Sequence, residues 1–170
     1  TSRGSLSACE HFILGHAYKD KGDIKKAAVH FANSAFVRER NTALKPFPGP
    51  VFGFMKKYGA KSDYYEDAAS ELASIFLYYN EFEYAQKFAL LVGKDDVSLY
   101  REAFLTRVKA LDSMKRYADA VKIANEALAA MPMNELKPVL YIRLASELKK
   151  LNDLDGCVRA YNDALRISSE

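Results

Sequence analysis

Along most of this chain the apolar residues recur three and four positions apart rather than alternately. Leu14, Gly15 and Tyr18 are followed by Ala27, Phe31 and Ala35, with Ser34 beside them. Further on, Ala69, Leu72, Ala73 and Phe76 precede Ala85, Ala89 and Val92. Phe104, Val108 and Leu111 precede Ala120, Ala124 and Ala127; Tyr141, Leu144, Ala145 and Leu148 precede Cys157, Tyr161 and Ala164. A period near 3.6 predicts amphipathic helices, not strands. The stripes come in pairs, and a short polar motif divides each pair. It reads Gly22-Asp23-Ile24-Lys25-Lys26-Ala27, then Asn80-Glu81-Phe82-Glu83-Tyr84-Ala85, then Lys115-Arg116-Tyr117-Ala118-Asp119-Ala120, then Asn152-Asp153-Leu154-Asp155-Gly156-Cys157. Each copy is a polar turn, a large apolar residue, and a small residue three positions later.

The small residues lie 58, 35 and 37 positions apart, and the last two intervals are the length of a paired-helix repeat. Two antiparallel helices approach closely only where side chains are small. Gly15, Ala73 and Ala145 meet that need in first helices, with the larger Val108 in the third unit; Ala27, Ala85, Ala120 and Cys157 meet it in second helices. A lone hairpin cannot bury both faces, so neighbours must stack. The predicted fold is all-α: a right-handed α-solenoid of four antiparallel helical hairpins. It forms a single domain over 1–170, with repeats at about 8–41, 66–99, 101–134 and 138–170.

The first unit resembles a tetratricopeptide repeat: Leu14-Gly15-x-x-Tyr18, then Ala27-x-x-x-Phe31, with Pro132 where the third unit would end its second helix. His11 stands in place of the usual tryptophan, Phe76, Leu111 and Leu148 in place of the tyrosine, and Cys157 in place of an alanine. The resemblance implies a non-enzymatic scaffold whose first helices line a concave groove for an extended peptide or a partner helix. The groove residues so implied are Phe12, His16, Lys19, Ser74, Tyr78, Leu105, Lys109, Ile142, Arg143 and Lys149, with Cys9, Asp67, Ser70 and Glu102 among their neighbours. Some members clamp a terminal carboxylate with Lys and Asn. Here Phe12 and His16, then Ser70 and Ser74, stand at those places, so the likeness to that class is poor. Lys109, Arg143 and Lys149 are expected to meet an acidic segment by charge pairing.

Residues 42–65 interrupt the repeat after the first unit. Pro46, Pro48 and Pro50 predict an extended course, with a short helical turn at Met55–Tyr58. Phe47, Phe52, Phe54 and Tyr58 are costly to leave wet. They pack over the first two hairpins, serve as a docking element or groove cover, or belong to a largely disordered segment. The first unit's second helix is allowed to run past Val37 toward Leu44. At the other end, Tyr161, Leu165 and Ile167 lie on a last helix with no polar cap, which predicts stacking on another copy or on further repeats of the parent chain.

Charge and candidate chemistry narrow the function. The net charge of +3 gives no electrostatic case for nucleic acid, and the groove positions change from repeat to repeat, unlike a base-per-repeat RNA reader. Residues 1–65 carry 11 basic and 5 acidic side chains, whereas 66–100 carry 2 and 7. His11, His16 and His30 do not form a metal pair on one face, no glycine loop suits a phosphate, and no catalytic Ser or Cys arrangement is present. No cofactor is expected; the expected partner is a protein or peptide. Asp95-Asp96 reads as helix-start chemistry. Cys9 and Cys157 are expected as reduced, buried thiols. No apolar run is long enough to span a membrane. A cytoplasmic location is the default, with a nuclear one open, since the chain begins at Thr1 rather than Met and a targeting segment upstream is not excluded.

Overall fold

The polar motif that recurs in the sequence becomes the same turn four times. A computed structural model describes residues 6–37, 48–130 and 137–169. In each turn the first motif residue takes a left-handed conformation: Gly22 at φ 77°, Asn80 at 62°, Lys115 at 58° and Asn152 at 62°. Its N–H donates to the carbonyl three residues back, and the next N–H donates five residues back, as in Asp23 to Tyr18, Glu81 to Phe76, Arg116 to Leu111 and Asp153 to Leu148. These are Schellman closures, which satisfy the last carbonyls of the first helix and reverse the chain. Asp23 and Asp153 then start the second helix, their carboxylates accepting from the N–H of Lys26 and Gly156.

The chain divides into two compact units, Thr1–Thr106 and Arg107–Glu170. The first holds α1 (Ala8–Asp20), α2 (Ile24–Ser34), α3 (Pro48–Lys57), α4 (Tyr65–Tyr78), α5 (Phe82–Ala89) and the start of α6 (Val97–Ser113). A capping box of Ser7 and Glu10 begins α1. Asp96 caps α6 through the N–H of Leu99, so the acidic pair acts as helix-start chemistry and the helix begins at Val97. Helices α1 and α2 form one hairpin, α4 and α5 another, and α2 packs on α4. Ala27, Phe31, Ala69, Leu72, Ala73, Ala85 and Phe88 are sealed in this core. Gly15 is needed for the close approach. A Cβ there would lie 2.6 Å from the Phe31 ring.

The insertion does not follow the extended course expected from its prolines. Pro48 and Pro50 occupy the first turn of α3, where a missing N–H breaks no intrahelical bond, so they start the helix instead of stopping it. The helix is therefore longer than the Met55–Tyr58 turn. Likewise α2 ends at Ser34 and does not run past Val37 as a helix. Phe36 instead forms an isolated antiparallel bridge with Lys61, closing the insertion at its base. Helix α3 lies against α2 and α5. Val51 and Met55 are buried, Phe52 meets Phe88 and Tyr84, and Phe54 and Tyr58 meet Phe36. The Tyr65 hydroxyl donates to the Met55 carbonyl at 3.1 Å. Phe47 and Pro132 lie outside the described residues.

The second unit contains the end of α6, α7 (Tyr117–Ala130), α8 (Lys137–Lys150) and α9 (Leu154–Ser168). Helix α8 packs on both α7 and α9. Val108, Leu111, Ala120, Ala124, Leu140, Ala145 and Cys157 are buried here. So is Glu147, fully. Lys150 reaches it at 3.2 Å and Asp112 at 2.6 Å, with the ammonium over the Tyr117 ring. Burial raises the Glu147 pKa above the ordinary carboxylate range, against the pull of Lys150. Burial pulls on Lys150 the other way, but its bonds to Asp112 and Glu147 prevail and hold it above the usual lysine range. Both thiols are free, and the expectation that both are buried fails at Cys9. That residue, in the first turn of α1, is exposed.

Candidate functional site

The first unit holds a cavity of about 340 Å³ lined by α1, α4 and the start of α6. Its walls are Phe12, Lys19, Asp67, Ser70, Glu71, Ser74, Leu99 and Glu102. Beside it, and sharing Lys19 and Ser74, is a more apolar hollow of about 300 Å³ that adds Gly22, Ile24, Ile75 and Tyr78. The two make one furrow along the first helices. Lys19 spans it, its ammonium 2.6 Å from the Glu71 carboxylate. His16 lies 3.9 Å from the same carboxylate and packs edge-on against Phe12 and Phe31. Phe12 also meets Tyr64. A hydrogen bond with Cys9 raises the Tyr64 phenol above its usual range.

Charge and burial decide what such a furrow can hold. Asp67, Glu71 and Glu102 stand against the single cation Lys19, so the lining is acidic. Ser70 is buried at the wall. Ser74 and Tyr78 are exposed at the rim.

Of the residues expected on the groove, Phe12, Lys19, Ser74 and Tyr78 come together here, with His16 behind them. Leu105 is half-buried on α6. In the second unit Lys109, Ile142 and Lys149 are exposed and Arg143 is half-buried. Phe52, Phe54 and Tyr58 do not line the furrow; Phe52 faces α5, and Phe54 and Tyr58 face Phe36 just beyond α2. Glu71, Leu99 and Ile75 were missed by sequence reasoning. Glu71 could have been found, because it falls one turn after Asp67 on the same face of α4.

The histidines also hold a contact that spacing along one helix could not reveal. His11 Nδ1 lies 2.8 Å from His30 Nδ1 on the neighbouring helix, and His30 stacks on Tyr18. His11 is buried, and the pair knits α1 to α2 at the place where the repeat family carries tryptophan. Among the described residues no group of three or more His, Cys, Asp or Glu is placed to hold a metal ion. Among them, too, no helix is long and apolar enough to cross a membrane.

The class of protein defined by this architecture is the all-α helical-repeat solenoid. Comparison with known proteins narrows it: residues 139–170, covering most of α8 and all of α9, match the tetratricopeptide repeat family. Seven chains of known structure match the fold. Among them, the structure named MamA MSR-1 C2 covers 95% of this chain and 97% of its own at a TM-score of 0.51, with 10% sequence identity. No curated protein sequence matches. The repeat match and the shared fold support the tetratricopeptide-repeat assignment that the Leu14-Gly15-x-x-Tyr18 motif suggested.

Proposed function

We propose that this chain is a non-enzymatic protein-interaction module whose first unit binds an extended peptide or a helix of a partner protein along the α1–α4 furrow. The observation that supports this most is the furrow itself: two adjoining hollows with aromatic and aliphatic floor residues and an acidic wall. Apolar contacts supply affinity in such a site, and the charges set register and partner choice. Lys109, Arg143 and Lys149 form a second, basic candidate surface for an acidic segment. Ser74 tests the furrow cleanly because it lines both hollows from an exposed position. Partners captured by the wild-type chain from native extract should be lost by Ser74→Arg and kept by Lys109→Glu/Arg143→Glu. Capture by Ser74→Arg at wild-type levels would defeat the furrow reading.

A scaffold that stacks without a groove ligand is the second reading. The observation favouring it is the apolar outer face of α9, where Leu154, Val158, Tyr161 and Leu165 are all exposed.

A further inference from the structure

The two hollows of the furrow differ in chemistry and follow one another in a fixed order. On α4 the acidic hollow is lined by Asp67, Ser70, Glu71 and Ser74, and the apolar one by Ser74, Ile75 and Tyr78. Along the first hairpin the same advance runs from Phe12 through Lys19 to Gly22 and Ile24. The mean lining positions on α4 are roughly five residues apart, so the hollows are centred about 8 Å apart at a helical rise of about 1.5 Å per residue.

Each hollow lacks something that a ligand side chain supplies. In the acidic one Glu71 is already held by Lys19 at 2.6 Å, and Glu102 touches Arg101 at 3.3 Å in a solvated contact. Among the described residues Asp67 has no ion-pair partner. A single added cation completes this hollow, with Phe12 and Leu99 beside its aliphatic stem. In the apolar hollow Ile75 is buried, but Tyr78 on the rim is 77% exposed. A large apolar side chain seated there covers the ring. The one charge lining that hollow, Lys19, repels a second cation and is itself spent on Glu71.

The ground between the hollows is polar, because Ser74 and Lys19 line both. An extended backbone crossing there brings N–H and C=O groups that the exposed Ser74 hydroxyl can meet, whereas a helix has spent its own. Two residues of extended chain span about 6.8 Å with both side chains on one side, and four span about 13.6 Å. The shorter step is the nearer match to the spacing of the hollows.

We infer that the furrow takes an extended segment carrying a lysine or arginine and, two residues away, a large apolar residue. The cation lies against Asp67 and the apolar side chain against Ile75 and Tyr78. This pairing presupposes that partners bind in the furrow, and it adds the order and spacing they must present.

NMR titration of the isotope-labelled chain tests it with short peptides of one composition, each holding one Arg and one Leu among Gly and Ser. The peptide with Arg and Leu two apart should bind about tenfold more tightly than the one with them adjacent, whose side chains point to opposite sides. Asp67→Asn should weaken the first peptide about two- to fivefold, and replacing its Arg by Gln should then cost nothing further. Tyr78→Ala should likewise weaken the Leu peptide but not one with Ser in place of Leu. The comparison of spacings uses wild type alone, so a variant that misfolds cannot blunt it. Equal affinity for the two spacings, or tighter binding when Arg and Leu are four apart, overturns the inference; loss of that binding in Ser74→Arg would still uphold the furrow. Binding that survives Ser74→Arg overturns both. No binding of any peptide at millimolar concentration also overturns the inference, and capture from extract then decides the furrow reading by itself.

Discussion

Gly15 shows how one missing methyl sets the spacing of a hairpin. A Cβ at that position would approach Phe31 Cε1, Cδ1 and Cζ at 2.6, 2.7 and 3.0 Å, and the Phe31 ring is fully buried. Gly15→Ala would gain up to about 1 kcal/mol of helix propensity. Overpacking a filled core costs about 1–3 kcal/mol. The second effect should win, leaving the variant about 1–2 kcal/mol less stable by urea denaturation. Glu147 is the opposite case, a charge where the core is tight. Its raised folded pKa means that the folded state holds the proton more firmly than the unfolded one. The stability it contributes is thus present below the ordinary value of 4.5 and lost as pH rises through the folded pKa. Glu147→Gln should remove that slope. The stability of wild type minus variant should fall with rising pH across this window and level off above it. A difference that rises with pH would show that Lys150 dominates the site instead of burial.

At the scale of elements, the four turns are one device written with four different residues. Glycine occupies the left-handed position at no steric cost, and asparagine tolerates it; Lys115 at φ 58° does not share either advantage. Lys115→Gly should therefore stabilise the chain by about 0.5–1 kcal/mol, the steric relief outweighing the entropy that glycine adds to the unfolded state. Gly22→Ala should cost about 1 kcal/mol. Thermal unfolding of the two variants checks both signs. These turns also explain why the hairpins were legible in the sequence. The Schellman closure needs a polar residue able to turn, and the next helix needs an apolar residue and then a small one, so the constraint leaves a local signature. The insertion was less legible. Its prolines carry the same local meaning whether they stop a helix or start one, and the choice fell to Val51, Met55 and Phe52 finding cover on α2 and α5, which is a contact distant in sequence. Cys9 was misread because the expectation rested on how thiols usually pack and not on where Cys9 falls on α1.

At the scale of the whole molecule, net charge and local charge point in opposite directions. The chain carries +3, yet the furrow sets Asp67, Glu71 and Glu102 against Lys19 alone. The first-helix phase placed Phe12, Lys19, Ser74 and Tyr78 on one surface, and that much of the site was readable. Of the acids that set its sign, Asp67 and Glu102 already stood among the groove neighbours in the sequence, and Glu71 is the one that was missed. At physiological salt the Debye length is about 8 Å, so a segment lying in the furrow responds to the charges lining it more than to the distant surplus of lysines. The furrow should then prefer a basic amphipathic peptide to its acidic counterpart, with the preference shrinking as salt is added. Lys19 and Glu71 already neutralise each other at 2.6 Å, which leaves Asp67 and Glu102 to make the choice. Each exposed pairing is worth about 0.2–1 kcal/mol, so reversing both as Asp67→Lys/Glu102→Lys should change relative affinity by about tenfold and invert the order of the two peptides. Fluorescence anisotropy with a Lys/Leu-rich peptide and its Glu/Leu-rich counterpart reads this directly. An unchanged order in the reversed variant would place the binding surface elsewhere, with Lys109, Arg143 and Lys149 as the next to test.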